Sequence, residues 1–574
     1  MPRTTTLVLL AMGMGAPATL GAQDADLIVT AERVWTGNPA APWAEAVAVR
    51  GERILAVGTR TDVMAHRAAH TTLVEQPGRF MTPGFIDNHT HFASAGALLL
   101  GVNLLDVADE AGLVRRVREA RDRMPAGAWL TGGDWGAYEQ WAMNDAGAGA
   151  AAAREPFSPH RAMIDALTPA TPVLINKWDR SAYLANGRAL ELAGADCTWD
   201  GVECADGVPS GRLSAQAAAR VRRAMPPKPM ELRLAEGRTA LAHLAELGVT
   251  TIHDNTPPEQ LHVYQELLAR GELTARIYAR PTLDKWEHLA AVGIRHGFGN
   301  EWLKIGGLKG FVDGIMGNSS ARFYEPYATT GVRGSWRDMM SPPGNMERLI
   351  RGADSTGHWP QIHAIGDEAI DTILDMMAVA MAANGPRDRR FRMIHTQVIR
   401  DADVAERMAR MGIIAEVQPY HAIDDMRWME ERIGERARWA YAFRTLDEAG
   451  VTLSFGSDWP GTNASWYTAD PFHGMYAAVT RQTLDGAPAG GWFPEERVDL
   501  ETALRAYTVN NAWVAGEEAL KGSLEPGKLA DFVVVDRDPF GIDPAALKDV
   551  QVLMTVVGGR IVHRLDEAAQ PPRP

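Results

Sequence analysis

From about residue 231, the sequence alternates between segments with helical patterns and short apolar segments typical of strands. Examples are "LRLAEGRTALAHLAELG" followed by "VTTIHD", "AIDTILDMMAVAMAANG" followed by "FRMIHTQ", "AERMARMG" followed by "IIAEVQP", and "RTLDEAG" followed by "VTLSFGSD". Repeated helix–strand units favour parallel strands joined by crossover helices. The sequence therefore predicts an α/β protein built on a (β/α)₈ TIM-type barrel.

Short runs rich in β-branched residues occur at both ends of the chain. "DLIVTAERVWTG" and "EAVAVRGERILAVG" lie near the N-terminus, and "GKLADFVVVD" and "VLMTVVGGRIVHR" lie near the C-terminus. Gly558-Gly559 in the last run predicts a hairpin turn. We expect these strands to pair in one small β-domain. The predicted division is 23–80 and 515–566 for this domain, 81–514 for the barrel with an insertion at about 95–230, and 567–574 for a tail.

Polar side chains follow several of the predicted strands. In "PGFIDNHTHF", His89 and His91 are two residues apart, so they project from the same face of an extended chain. The later runs add four more candidates at or near strand ends, which are Lys309, His363, His395 and Asp458. In a (β/α)₈ barrel the carboxyl ends of the strands carry the active site, so we expect these six side chains to converge.

Each candidate has a simpler interpretation when it is taken alone. A single histidine at a strand end is more often a hydrogen-bonded structural group than a metal ligand. Asp458, which precedes Trp459-Pro460, would serve equally as a turn residue or a helix N-cap. Lys309 lies in an apolar run and could pair with Asp313. The ordered set in one barrel-like pattern favours the metal site over these alternatives.

Three further residues are expected to contact a substrate. His253 ends the predicted strand "TTIHD", and His421 lies in "QPYH". Trp135 would supply an apolar wall, although 17 tryptophans make the choice of any one of them insecure. A metal-ligand role for His253 is the less favoured alternative.

The ordered motifs resemble those of the amidohydrolase superfamily of metal-dependent hydrolases, in particular its amidohydrolase-3 branch, which is similar to N-substituted formamide deformylase and imidazolonepropionase. The motifs are "PGFIDNHTHF", "GVTTIHDN", "LKGFVDGIMGNSSA", "HAIGDEAID", "IHTQ", "QPYH", "FGSDWP" and "GSLEPGKLADFVVVD". They cover nearly the whole chain after residue 22. The resemblance implies a (β/α)₈ barrel beside a small β-sandwich built from both termini.

The resemblance also implies a role for each site residue. It implies that His89, His91, His363 and His395 are metal ligands, and that Lys309 can carry a carboxyl group and bridge two metal ions. It implies that Asp458 is both a ligand and the proton shuttle. The expected cofactor is a divalent metal, with Zn²⁺ favoured and one or two ions left open.

The implied reaction is hydrolysis of a non-peptide carbon–nitrogen bond, an amide or N-acyl group, by a metal-activated water. A deaminase or a cyclic-amide hydrolase is the first alternative. A metal-binding barrel protein without catalysis is a distant one. The expected partner is a small-molecule substrate, and a homodimer is an open expectation because barrels of this type commonly pair.

Composition and the N-terminus bear on location and on other partners. The formal net charge of −14 argues against nucleic-acid binding, because phosphate recognition needs clustered Lys and Arg. Residues 1–22 resemble a secretory signal peptide, with Arg3 before an apolar stretch and small residues before the expected cut after Ala22. That stretch is too short to span a membrane. We therefore expect an exported protein without membrane attachment.

The chain has two cysteines, in "CTWDGVEC". Cys197 and Cys204 could close this short loop as a disulfide in an oxidising compartment, and free thiols are the alternative. The predicted export favours the disulfide.

Overall fold

The computed structural model describes residues 24–105, 107–125, 127–136, 157–178, 180–461 and 469–565. The predicted signal peptide and the predicted C-terminal tail lie outside these residues. Among the described helices, none combines the length and the apolar composition needed to cross a membrane.

The described residues form 21 strands, numbered here in chain order. Strands β1 to β21 are Leu27–Trp35, Trp43–Arg50, Arg53–Gly58, Thr72–Pro83, Phe85–Thr90, Leu130–Trp135, Val173–Lys177, Tyr183–Ala185, Val202–Ala205, Val208–Leu213, Val249–Asn255, Arg276–Arg280, Leu303–Ile305, Leu308–Phe311, Pro360–Ala364, Arg392–His395, Ile414–Val417, Leu453–Phe455, Phe532–Val535, Val552–Val557 and Arg560–Arg564.

The α-helices of the described residues mostly connect these strands. They are Arg60–Met64, Phe92–Leu100, Glu110–Arg123, Gly187–Ala193, Ala215–Arg222, Met230–Glu246, Pro258–Ala269, Trp286–Ala291, Asn345–Ser355, Asp367–Asn384, Ala402–Met411, Pro419–Asp425, Met429–Ile433, Phe443–Glu448, Pro471–Thr480, Leu500–Ala506 and Val509–Val514.

The predicted helix–strand units are confirmed, and local sequence explains their boundaries. Helix Ala402–Met411 begins after Asp401, whose side chain accepts a hydrogen bond from the Val404 backbone N–H, and it ends at Gly412 in the left-handed conformation. Strand β17 follows at once. Asp401 and Gly412 therefore fix where this helix stops and the next buried strand starts.

Two parallel sheets form the centre of the molecule. One has the strand order β13-β12-β11-β5, and the other has the order β14-β15-β16-β17-β18. Isolated parallel bridges join them on both sides, from Thr90 to Trp459 and from Thr282 to Lys309. The carboxyl ends of strands from both sheets consequently face one region.

Strands β13 and β14 are separated only by Gly306-Gly307. A Cβ on Gly306 would lie 2.1 Å from the ring of Tyr278, and one on Gly307 would lie 2.1 Å from the Gln361 amide. Only glycine permits this close approach of the backbone to its neighbours. The two glycines therefore let the chain turn tightly just before the strand that carries Lys309.

Strands from both termini share one seven-stranded sheet, in the order β21-β20-β19-β4-β1-β2-β3. β20 and β21 are antiparallel partners, which confirms the hairpin at Gly558-Gly559. This terminal sheet has its own apolar core and also contacts helix Met230–Glu246, where the Thr555 hydroxyl donates to the Ala245 carbonyl at 2.7 Å. Pairing of the two chain ends is as the sequence predicts.

The predicted insertion contains a further five-stranded sheet, in the order β6-β7-β8-β10-β9. Cys197 and Cys204 form a disulfide beside its β9 edge, so the prediction of a disulfide is confirmed. Trp135 is buried in the core of this insertion together with Leu104 and Val173.

Candidate metal centre and active site

One pocket at the carboxyl ends of the parallel strands collects most of the predicted site residues. Seven of the predicted side chains line it, which are His89, His91, Lys309, His363, His395, His421 and Asp458. Apolar groups, including Phe311, Met316 and Ile365, form part of its wall. The sequence-based expectation that these strand ends converge agrees with this geometry.

The carboxylate of Asp458 lies between several imidazoles. Its Oδ1 atom is 3.3 Å from Nε2 of His89 and 3.0 Å from Nε2 of His91. Its Oδ2 atom is 3.9 Å from Nε2 of His421. His395 joins His421 and Asp458 in a second group whose potential ligand atoms lie within 4.8 Å of one another. One carboxylate is thus shared by two possible metal-binding groups.

Backbone contacts hold Asp458 against the histidine pair. The Asp458 N–H donates to the His89 carbonyl at 2.8 Å, and Asp458 has a φ angle of 60°, in the left-handed region. The Asp87 carboxylate accepts hydrogen bonds from the backbone N–H groups of His89 and Ser457, each at 3.0 Å. Such a backbone conformation is unfavourable for aspartate, and it is held here by its neighbours.

The tautomer of His89 follows from its buried partners. Its Nδ1 atom lies 2.9 Å from Oε1 of Glu416, which also accepts from Arg280 at 2.6 Å. Burial raises the pKa of Glu416, but Arg280 and Arg392 outweigh burial and lower the pKa overall. Because the carboxylate is ionised, Nδ1 must carry the proton, and the Nε2 lone pair faces the pocket.

The atoms around His89 and Asp458 suit a bound cation. Burial holds the pKa of His89 well below its usual range, so the ring is neutral. Its Nε2 lone pair and the Asp458 Oδ1 atom then face each other at 3.3 Å without a proton between them. A divalent cation between these atoms would relieve their repulsion, so the donor set fits a metal ion.

His395 and His363 also line the pocket, and the ring centroid of His395 is 5.2 Å from that of His89. His395 contacts Oε1 of Gln418 through Nδ1 at 2.8 Å, which leaves its Nε2 for the pocket. His363 donates from Nε2 to the Gly314 carbonyl at 2.9 Å, which leaves its Nδ1 as the possible ligand atom. The two rings are 4.6 Å apart between centroids. Of these two rings, His395 belongs to the second possible metal-binding group, with His421 and Asp458.

Lys309 is buried in the pocket floor with 1% of its surface exposed, and its Nζ atom has no hydrogen-bond partner among the described residues. Burial, reinforced by the charge of Arg280, holds its pKa well below the usual range. The alternative pairing with Asp313 is wrong. The Asp313 carboxylate instead accepts hydrogen bonds from the backbone N–H groups of Arg322, Ile365 and Gly366.

Two of the expected substrate contacts lie away from this pocket. His253 is fully buried beneath the histidine pair, with its ring 4.5 Å from that of Tyr278 and its Nδ1 atom 2.9 Å from Arg392. Trp135 packs in the core of the insertion. The prediction that these side chains line the pocket is corrected, because each fills an interior position instead.

The sequence reasoning missed several residues that shape the site. Glu416, Arg280 and Arg392 form a fully buried charge cluster under His89, and Gln418 orients His395. Asn255 also reaches the histidine pair. A lone glutamate within the apolar run "IIAEV" was the available signal, because a charge in a central strand must have a partner.

The site consists of imidazoles and a shared carboxylate at the carboxyl ends of parallel strands. This combination defines a class of proteins, the metal-dependent hydrolases. The sequence model of the amidohydrolase family matches residues 77–563. The chain belongs to the amidohydrolase family, and it is an enzyme that acts on carbon–nitrogen bonds.

Comparison with individual proteins agrees with this assignment. The chain is 33% identical to Protein LONG AFTER FAR-RED 3 of Arabidopsis thaliana over 94% of this chain and 92% of that protein. It is 28% identical to N-substituted formamide deformylase of Arthrobacter pascens over 93% and 97% of the two chains. A crystal structure of an uncharacterized metal-dependent hydrolase from Pyrococcus furiosus is similar, with 25% identity, a TM-score of 0.69 and coverage of 89% and 99%.

Proposed function

We propose that this pocket hydrolyses a non-peptide amide or N-acyl bond with the help of bound Zn²⁺. The proposed ligands are His89, His91, Lys309, His363, His395 and Asp458. The observation that carries the proposal is the position of the Asp458 carboxylate, 3.3 Å from Nε2 of His89 and 3.0 Å from Nε2 of His91. The similarity to N-substituted formamide deformylase supports the bond class.

A divalent cation bound by these residues would supply an activated water and a Lewis acid for the substrate carbonyl. The chain itself supplies the proton transfer. The Asp458 carboxylate faces the pocket within 3.3 Å of His89 and His91, so it can accept a proton from the attacking water and deliver it to the leaving nitrogen.

Lys309 would complete the site by carrying a carboxyl group. Only a neutral amine reacts with CO₂, and the lowered pKa of Lys309 favours that form. The resulting carbamate would replace an unpartnered buried amine with two oxygen ligands directed between the two groups of histidines. This proposal therefore predicts two metal ions for each chain.

The proposal also covers the fold, namely whether the barrel is closed and whether the terminal sheet is a separate domain. We take the two parallel sheets as one closed (β/α)₈ barrel, with β13 and β14 as successive parts of a single strand. The isolated bridges Thr90–Trp459 and Thr282–Lys309 support closure. The terminal sheet would be the small β-sandwich domain, with the insertion beside the barrel mouth.

Export is a further part of the proposal. The signal-like residues 1–22 lie outside the described chain, but the Cys197–Cys204 disulfide supports an oxidising destination.

The proposal is tested by metal analysis together with turnover of N-formyl and N-acetyl amides. Asp458→Asn removes the proton acceptor while keeping its shape, so we expect kcat/KM to fall by about 10²–10⁴. The control is Asp403→Asn, which makes the same change in the exposed first turn of helix Ala402–Met411 and should keep wild-type rates. Wild-type rates in Asp458→Asn would contradict the proposal. Metal-loaded enzyme that releases ammonia from cyclic amidines but cleaves no amide would contradict the bond class.

A further inference from the structure

We propose that the side-chain amide of Asn255 is an additional metal ligand, completing the group formed by His89, His91 and Asp458. This inference rests on the proposed function, because it extends the same metal site. Nothing in the sequence patterns assigned a role to Asn255.

The position of Asn255 follows from strand pairing. Asn255 is the last residue of β11, which pairs in parallel with β5, and its neighbour Asp254 is aligned with Thr90. The Asn255 side chain therefore reaches across the strand ends towards the histidine pair. Its Nδ2 atom lies 3.0 Å from Nε2 of His89 and 3.2 Å from Nε2 of His91.

These distances suit neighbouring ligand atoms around one metal ion. With metal–ligand bonds of about 2.0–2.1 Å, ligand atoms that subtend about 90–110° at the metal are about 2.9–3.4 Å apart. The Asp458 Oδ1 atom lies 3.3 and 3.0 Å from the two imidazole nitrogens, and the Asn255 amide lies 3.0 and 3.2 Å from the same atoms. The Asn255 amide therefore lies about as close to the two imidazole nitrogens as the Asp458 carboxylate does.

The second observation is the unpartnered oxygen of the same amide. Oδ1 of Asn255 is buried and has no hydrogen-bond partner within the described parts of the chain. A buried amide oxygen without a partner is energetically unfavourable. Rotation of the amide by about 180° exchanges its two atoms, which are nearly the same size. Oδ1 then faces the two imidazole nitrogens and a cation bound there, whereas in the orientation of the structure Nδ2 faces them.

Amide oxygen is a harder donor than imidazole, and it is an established ligand type for divalent cations. Two imidazoles, one carboxylate and one amide oxygen would bind this metal together with an oxygen of the proposed Lys309 carbamate. A purely structural Asn255 would keep Nδ2 towards the imidazoles and leave its buried oxygen without a partner among the described residues. The geometry therefore favours a metal-ligand role for Asn255 over a purely structural role.

The experiment compares Asn255→Leu, which removes both polar atoms at similar volume, with Asn255→Asp, which keeps an oxygen and adds charge. Each full-length protein is stripped of metal and titrated with Zn²⁺ in competition with a chromophoric chelator. X-ray absorption then counts the nitrogen and oxygen neighbours of the metal. Asn318→Leu makes the matched change in an exposed asparagine that does not line the pocket.

We expect Asn255→Leu to bind Zn²⁺ at least tenfold more weakly and to lose one light-atom neighbour, and Asn255→Asp to bind more tightly than wild type. Asn318→Leu should match wild type. Wild-type affinity and neighbour count in Asn255→Leu would overturn the inference. If Asn255→Leu does not fold, unchanged affinity in Asn255→Asp would overturn it, because an added charge at a ligand position must alter binding.

The two proposals fail in different ways. A wild-type protein that takes up no divalent metal overturns the proposed function itself. A protein that binds metal and cleaves amides equally well with and without the Asn255 amide overturns only the ligand assignment.

Discussion

Lys309 places a primary amine inside the molecule, 1% exposed and without a hydrogen-bond partner among the described residues. The ring of Phe311 lies beside it, with its centroid 4.8 Å from Nζ. Burial of a charged ammonium would cost several kcal/mol, so the neutral amine is favoured. A neutral buried amine beside two groups of histidines is the chemical requirement for a carbamate bridge.

We predict that Lys309→Met lowers the bound metal from two ions to one for each chain. Methionine fills similar space but cannot carry a carboxyl group, so the bridge between the two groups of ligands is lost. Metal content is measured after dialysis. Wild-type protein in ¹³C-bicarbonate should also give a carbamate carbon signal that Lys309→Met lacks.

The control for this prediction is Lys285→Met, which makes the same change in an exposed lysine paired with Asp284. It should keep both metal ions. Two metal ions in Lys309→Met, or no carbamate signal in the wild type, would show that Lys309 does not bridge metals.

At the scale of secondary-structure elements, a buried charge cluster links three strands below the site. Glu416 on β17 accepts from Arg280 on β12 at 2.6 Å and from Arg392 on β16 at 3.1 Å, and all three side chains are fully buried. The same carboxylate fixes the tautomer of His89 on β5. Strand packing and ligand orientation therefore depend on one side chain.

We predict that Glu416→Gln destabilises the protein by about 3–5 kcal/mol, because it leaves two buried guanidinium groups without a countercharge. It should also weaken Zn²⁺ binding by about 10–100-fold, because His89 loses its charged partner. Denaturant unfolding and chelator competition measure the two effects.

Glu406→Gln provides the comparison for Glu416→Gln. Glu406 pairs with Arg410 on an exposed helix face, where such a pair contributes about 0.3–0.5 kcal/mol. If the two variants lost similar stability, the buried cluster would not have the structural role assigned to it.

At the scale of the whole molecule, the terminal sheet is attached to the central sheets by a buried ion pair. Arg276 at the start of β12 donates two hydrogen bonds to Asp531, at 2.7 and 2.9 Å, and Asp531 directly precedes β19. Both side chains are at least 96% buried, since their exposed fractions are 1% and 4%. This contact joins the C-terminal part of the chain to the strands that carry the site.

We predict that Asp531→Asn lowers stability by about 3–5 kcal/mol, because Arg276 is left buried without its countercharge. Zn²⁺ affinity of the folded protein should be unchanged, since the pair lies at the opposite end of β12 from the pocket. Denaturant unfolding and metal titration distinguish these effects.

Asp538→Asn is the matched variant for Asp531→Asn. Asp538 pairs with Arg33 at 2.8 Å, but the two side chains are 29% and 41% exposed, so the loss should not exceed about 1 kcal/mol. Equal losses in the two variants would contradict the role given to the buried pair.

The candidate site was predictable to the extent that its residues follow strands. His89, His91, Lys309, His363, His395 and Asp458 each occupy a place in the repeating helix–strand pattern, and parallel strands bring their carboxyl ends together. His253 also lies near the end of a predicted strand, but the structure places it beneath the pocket. Its side chain points inward and packs on Tyr278. The alternation of side chains along the seven residues of β11 does not distinguish a position in the pocket from one in the interior below it.

The sequence by itself determined the helix–strand order, the pairing of the two chain ends and the set of strand-end donors, because these depend on local periodicity and on general rules of parallel sheets. Only the tertiary structure decided that Glu416 faces His89, that Lys309 lacks a partner and that Asn255 reaches the histidine pair. Those relations join residues up to 327 positions apart. They depend on the register between strands and on side-chain direction, which no local pattern encodes.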